Sequence, residues 1–304
     1  MVRARFDFEI EPIRSDEATQ KVTIRVQPDK RRYSIVEVNG KRHYLDKFLH
    51  TIIPEEAFEE IAAAQFDGLA VIYNPPSIES ASEYASVRQG AIAAELRGES
   101  YAVPTEKARP QSQLSFAGGA RFLTFLSVDI CGSSSLRRRD PKAFDRAYDI
   151  FLRELATSVG HFNGTILKPT GDGFIACIES GGFTTQCDNT VDLGLTLLAV
   201  LRGSVNPALE GAGLPSFDIR VGADCGAGRL RQITVPATGF EAPEMASDAL
   251  NRAVKIEQTA AANELRIGRS LYELVHVQWL ERCDEVEFDG NEVGIEGYQV
   301  YKVQ

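Results

Sequence analysis

The stretch Gly164–Ile178, GTILKPTGDGFIACI, decides how the rest of the chain is read. Thr165–Lys168 is a β-branched and apolar run, Gly171-Asp172-Gly173 signals a tight turn, and Phe174–Ile178 is apolar again. The spacing predicts a β-hairpin with a solvent-facing tip. Held between two glycines, Asp172 can project its carboxylate into a cleft while the backbone makes a turn that bulkier residues resist. Taken alone, a Gly-Asp-Gly tip reads first as a turn former.

The segment Arg121–Leu136, RFLTFLSVDICGSSSL, changes that reading. Phe122–Val128 suits a strand buried on both faces, and it ends abruptly in Asp129. A small-residue loop, Cys131-Gly132-Ser133-Ser134-Ser135, follows and leads into a helix. Small residues let backbone N–H groups approach a phosphate, and a helix start adds its positive dipole end. Two aspartates at adjoining strand ends beside such a loop suit a pair of divalent ions, Mg²⁺ or Mn²⁺, because hard cations take carboxylate oxygen.

VDICGSSSL followed by GTILKPTGDGF resembles the class III adenylate/guanylate (nucleotidyl) cyclase catalytic domain, over about Ala120–Val303. The resemblance implies that Asp129 and Asp172, helped by the carbonyl of Ile130, hold two metal ions. It implies that Cys131–Ser135 contact the β- and γ-phosphates. Lys168, four residues before Asp172, stands where adenylate cyclases of the family carry an adenine-reading lysine. An ammonium can donate to N1 of adenine but opposes the N1–H of guanine, so ATP is the first expected substrate and cyclic AMP the first expected product.

In Glu244–Lys255, EMASDALNRAVK, Asn251 matches the family's asparagine for the ribose or transition state. Lys255 stands in place of the family's arginine, keeping the charge without the bidentate fork. Glu244 falls at the second base-reading position and Asp289 at that of a late triphosphate lysine. In the family, the metal aspartates and the base-reading residues of one site come from different chains, so the resemblance implies a homodimer with composite sites. A downstream receptor for the cyclic nucleotide is implied as well.

Three alternatives stand beside this reading. The departures at Glu244 and Lys255, with an unfamiliar N-terminal region, keep a pyrimidine cyclase open, similar to those of bacterial anti-phage Pycsar systems that use UTP or CTP. A diguanylate cyclase needs a GGDEF-like acidic pair, which PTGDGF lacks. A catalytically weak nucleotide-binding regulator fits Asp289 and Lys255 but has little need of two metal aspartates.

The chain's 304 residues allow a catalytic domain plus a smaller one. With 43% hydrophobic and 25% charged residues it has the composition of a globular protein with a buried core. No run reaches membrane-spanning length, and MVRARFDFEI alternates in charge instead of forming a signal-peptide core, which predicts a cytoplasmic protein without a membrane partner. A net charge of −10 disfavours nucleic acid as a partner. Cys131, Cys177, Cys187, Cys225 and Cys283 lack metal or disulfide spacing. Arg137-Arg138-Arg139 reads first as a solvated helix face and second as a triphosphate-steering patch.

Along the chain, residues 1–103 predict a small α+β region of regulatory or dimer-organising role. Its parts are strands at Lys21–Val26 and Tyr33–Val38, an Asn39-Gly40 turn, a strand at Lys41–Leu45, helices at Pro54–Phe66 and Ser80–Leu96, and a strand at Gly68–Tyr73. Residues 104–119 have linker chemistry. Residues 120–304 predict an α+β cyclase domain, a ferredoxin-like core of mixed sheet with packed helices. Within it, Pro141–Val159 is a helix, His161 a turn residue, and Gly226-Ala227-Gly228 the return of a hairpin after Phe217–Ala223.

Overall fold

The computed structural model describes residues 3–16, 21–66, 75–111, 119–179 and 181–304. The chain forms two compact units, Met1–Asn74 with Glu273–Glu281, and Pro75–Tyr272 with Arg282–Gln304. The compact units therefore divide at Asn74/Pro75, upstream of the expected 104–119 linker. The helix at 81–96 belongs with the second unit because its Arg88 forks onto the buried Glu154, with both contacts at 2.8 Å. A charge removed from water needs such a partner, and the composition shift at 104–119 carries no information about it.

In the first unit, β1 (Phe8–Asp16) and β2 (Lys21–Pro28) pair as an antiparallel ribbon. β3 (Tyr33–Val38), β4 (Lys41–Asp46) and β5 (Ile52–Pro54) form a second small sheet, followed by α1 (Glu55–Phe66). Asn39 and Gly40 both have positive φ, 52° and 73°, as the expected two-residue turn requires. Phe58 of α1 is the centre of the core, with Phe6, Phe8, Tyr33 and Tyr44 around it at ring distances of 4.8–5.5 Å. Arg32 is fully buried between Asp7 (2.9 Å) and Asp46 (2.8 Å). Asp7 also accepts the Val277 amide at 3.0 Å, which fastens the returning segment into this unit. The strand expected at Gly68–Tyr73 lies outside the described residues.

The second unit contains α2 (Ala81–Leu96), β6 (Arg121–Ile130), α3 (Ser133–Arg139), α4 (Pro141–His161), β7 (Gly164–Pro169) and β8 (Gly173–Ile178). α5 (Phe183–Val200) continues through a π turn, Leu201–Val205, into α6 (Asn206–Gly211). β9 (Ile219–Val235), β10 (Phe240–Ala246), α7 (Asp248–Thr259), β11 (Glu264–Gly268), α8 (Arg269–Tyr272), β12 (Cys283–Val286) and β13 (Val300–Val303) complete it. The sheet order is β12-β13-β11-β9-β6-β8-β7, with β10 paired to β9. β11 runs parallel to β9 and the other pairs are antiparallel, which makes the expected mixed sheet with packed helices.

β6 is central, buried from Leu123 to Val128, as its apolar run predicts. α4 starts on an Asp140 side chain that accepts the Ala143 amide, with Pro141 in its first turn, and it buries Phe144, Phe151 and Leu155. The helix runs on through His161, which is a buried helical residue and not the expected turn; the chain reverses at Asn163, φ 60°. No hairpin forms at Gly226–Gly228 either. β9 passes straight through these glycines, because they admit neighbouring side chains: a Cβ on Gly226 would lie 3.0 Å from that of Ala249, and one on Gly228 would lie 2.8 Å from Leu123. The turn that joins β9 to β10 comes later, at Gly239, φ 67°.

Candidate active site

Asp129 pairs across the sheet with Gly173, so the end of β6 and the start of β8 bring Asp129 and Asp172 side by side. The Ile130 amide donates to the Asp172 carbonyl at 3.2 Å, tying the two strand ends together. Each glycine flanking Asp172 has its own reason. Gly171 turns the chain at φ 98°, and a Cβ on Gly173 would sit 1.8 Å from the Val128 carbonyl oxygen. Ser133 holds the Asp172 carboxylate with a hydroxyl donated at 2.6 Å.

On the other flank of β6, Arg220 of β9 pairs across from Asp129. Its guanidinium donates to Asp129 Oδ2 at 2.5 Å, and its Nε lies 3.2 Å from Oε1 of the buried Glu257, misaligned for a hydrogen bond. Burial pushes the Asp129 carboxyl above its ordinary range; Arg220 opposes that rise and the adjacent Asp172 adds to it. Glu257 is pushed up to about 7 by burial and by Asp129, with Arg220 again opposing. Two carboxylates therefore share one guanidinium, with Asp172 adjacent to the first of them.

The small-residue segment is shorter as a loop than the sequence predicts, since α3 begins at Ser133. Gly132 takes the left-handed conformation at φ 67°. The Cys131 amide is committed to the Asp218 carbonyl at 2.8 Å and the Ser135 amide to Gly132 at 2.9 Å. First-turn amides of Ser133 and Ser134 have no partner within the helix, as at any helix start. Beside Asp172 opens a cleft of about 270 Å³, walled by Ser133, Ser134, Arg137 and Thr170 and floored by Phe144.

No family model and no curated protein sequence matches the chain. Among solved structures it is similar to the guanylyl cyclase Cya2, at TM-score 0.52 and 20% identity over 61% of this chain and 93% of that one. The adenylyl cyclase CyaB from P. aeruginosa matches at 0.53 and 18%, over 61% and 95%. The guanylate cyclase domain of RhGC from Catenaria anguillulae, solved with GTP, matches at 0.51 and 16%, over 60% and 96%. The fold is that of a class III nucleotidyl cyclase catalytic domain.

Within this cyclase fold the structure gathers Asp129, Ile130, Asp172 and the segment Cys131–Ser135, and it places Lys168, Glu244, Asn251, Lys255 and Asp289 elsewhere. Lys168 is exposed on β7, next to a bulge between Ile166 and Lys168. Glu244 is ion-paired to its cross-strand neighbour Arg231, and Lys255 lies 3.5 Å from Glu292. Asn251 is exposed on α7. Asp289 caps a 3₁₀ turn by accepting the Asn291 amide at 3.0 Å. Among the described residues, none of Lys168, Glu244, Asn251 and Lys255 has a hydrogen bond or ion pair to Asp129 or Asp172.

Divalent ions fit the aspartate pair on the chemistry of its donors. Asp129 and Asp172 offer only oxygen, and their mutual repulsion would be relieved by a bound cation. Among the described residues no group of three or more acidic, imidazole or thiol ligands converges, so such ions would complete their shells with substrate phosphates, a common arrangement for Mg²⁺. Sequence reading missed Arg220 and Glu257. Arg220 lies in FDIRVGA, where it looks like any strand residue, and its role rests on a register that only strand pairing supplies.

Proposed function

We propose that the protein is a metal-dependent nucleotidyl cyclase that converts a nucleoside triphosphate to a 3′,5′-cyclic nucleotide and pyrophosphate. The observation that carries this reading is the meeting of Asp129 and Asp172 at adjoining strand ends of a cyclase fold. Asp129, Asp172 and the Ile130 carbonyl would hold Mg²⁺ or Mn²⁺, which when bound supply Lewis acidity towards the ribose 3′-hydroxyl and the phosphates.

The reaction forms a bond between O3′ and the α-phosphorus, breaks the bond from that phosphorus to the bridging oxygen of pyrophosphate, and releases the 3′-hydroxyl proton. Ser133 keeps the Asp172 carboxylate aimed at the site by its hydrogen bond. Arg220 sits against Asp129, where it can turn to the incoming phosphates as the aspartate is engaged. Lys168 reads the base, and Asn251 and Lys255 act on the ribose and phosphates. Because these last residues lie apart from the aspartates within one chain, a homodimer brings them to the partner's aspartates. A cytoplasmic location fits a soluble triphosphate; no helix among the described residues is long and apolar enough to cross a membrane.

ATP is the substrate that Lys168 favours. A pyrimidine triphosphate, and with it a role in anti-phage signalling through a cyclic-nucleotide receptor, is the second reading. It is favoured by the pairing of Glu244 with Arg231, which leaves a carboxylate in an ion pair at the second base-reading position. The test is incubation of the purified full chain with ATP, GTP, CTP and UTP separately, with Mn²⁺ or Mg²⁺ and mass-spectrometric detection. A cyclic nucleotide from ATP supports the first reading and one from UTP or CTP the second. Absence of any cyclic product from a confirmed dimer would overturn both.

A further inference from the structure

We propose that Arg137 binds the terminal phosphate of the substrate's polyphosphate tail, a specificity contact for the triphosphate over shorter phosphates; the assignment rests on the cyclase reading of the Asp129–Asp172 site. Arg137 lies four residues after Ser133 on α3, so the two share a helix face, and Ser133 is the residue that holds Asp172. Four residues advance about 6 Å along a helix. Arg137 and Asp172 line the same cleft, so a tail whose inner phosphates meet Asp172 has the guanidinium within that cleft for its far end.

That cleft has a volume of about 270 Å³, below the roughly 300–1,000 Å³ that encloses a whole small ligand. It is large enough to take the phosphates of a nucleotide tail. Arg137 is also held ready. Its guanidinium lies over the Phe144 ring at 4.6 Å, and Phe144 is itself fully buried, stacked on Tyr148 and edge-on to Phe217. A planar fork resting on a fixed aromatic face loses little freedom on binding, and its shape matches a phosphate.

The charges favour the same site. Two divalent ions and two aspartates leave roughly two charges of a fully ionised triphosphate tail uncompensated. Arg220, once it turns from Asp129, offsets one of them and leaves about one for a second cation. The acid facing Arg137 is Asp145 at 3.6 Å, with both side chains more than half exposed, and so solvent-screened a pair exchanges readily for a phosphate dianion.

The experiment measures binding of inorganic tripolyphosphate and of the four common nucleoside diphosphates to the full chain by calorimetry in Mn²⁺, with nucleotide turnover measured beside it. Arg137→Ala is expected to weaken tripolyphosphate by about tenfold, the scale of one charge-assisted hydrogen bond, while the nucleoside diphosphates, which lack the terminal phosphate, change by less than about twofold. Arg137→Lys, which keeps the charge and loses the fork, falls between, and Arg139→Ala binds as wild type. In turnover, KM for the triphosphate rises about tenfold in Arg137→Ala and kcat stays within about threefold, as loss of uniform binding requires. Unchanged tripolyphosphate affinity in Arg137→Ala overturns the assignment, as does an equal loss in Arg139→Ala, which would mean diffuse attraction to a basic helix. Failure of wild type to bind tripolyphosphate overturns it too. If wild type binds tripolyphosphate through Arg137 yet forms no cyclic nucleotide, the cyclase reading fails and the phosphate site stands.

Discussion

Two acid–arginine clusters in this protein use the same side chains to opposite ends. In the first unit, Arg32 is sealed between Asp7 and Asp46, and Asp7 is further filled by Arg5 at 2.7 Å and by the Val277 amide. In the second unit, Arg220 faces Asp129 and Glu257, its contact to Glu257 is misaligned, and both carboxyls are held above their ordinary range by burial first. One cluster has more donors than its carboxylates need, and the other has fewer. Buried carboxylates matched by cations hold a fold together, whereas carboxylates left short of positive charge take up a cation when one is offered.

The sharpest way to break this comparison is to remove the carboxylates from the under-compensated cluster. Asp129→Ala or Asp172→Ala is expected to lower cyclic-nucleotide formation by more than about 10³-fold, beyond the loss of a single transition-state donor, with circular dichroism and melting near wild type. Retained turnover in either purified variant would remove that residue from the metal site.

The opposite behaviour is expected of the sealed cluster. Arg32→Ala leaves Asp46 buried without its cation and Asp7 with Arg5 alone, and should cost about 3–5 kcal/mol in urea unfolding, whereas Asp129→Asn, which relieves repulsion with Asp172, should lie within about 1 kcal/mol of wild type. Equal losses in the two variants would erase the distinction between the clusters.

Glu257 gives a pH test. Its folded-state value of about 7 lies above the ordinary 4.5, so folding takes up a proton between those values. Stability from this group is complete at and below pH 4.5 and is lost as pH rises to 7, by up to about 3 kcal/mol. Glu257→Gln should flatten the profile across that window in metal-free buffer, and a profile parallel to wild type would show that Glu257 is already ionised in the folded protein.

The smallest expected effect concerns the base. Lys168→Glu should move the ratio of turnover with ATP to that with the other triphosphates by about tenfold, one hydrogen-bonding contact's worth, and an unchanged ratio would take Lys168 out of the base pocket.

How much of this was legible in the sequence follows from the range of each interaction. The hairpin and its Asp172 tip are local: a turn at Gly171 needs positive φ, an apolar run marks each strand, and four adjacent residues suffice to signal it. The burial of β6 and the start of α4 at Asp140-Pro141 are local in the same sense. At Gly226–Gly228 the same reasoning misleads, since glycine marks a turn and a close approach with one residue type, and only the packing of α7 and β6 against β9 distinguishes them. His161 likewise reads as a turn residue beside Gly160, and its burial depends on what packs around the end of α4.

The sequence by itself determined the two aspartates, the glycines that frame one of them, the order of strands and helices around them, and the resemblance to a cyclase that the fold bears out. Tertiary structure alone decided that Arg220 and Glu257 join Asp129, that Arg137 rests on Phe144 at the mouth of the cleft, and that α2 belongs with the second unit. The physical reason is the same in each case. Turns and amphipathic runs are set by neighbours along the chain, whereas the charge state and the partners of a buried side chain are set by residues far away in sequence, such as Asp129 and Arg220, that a sheet register brings face to face.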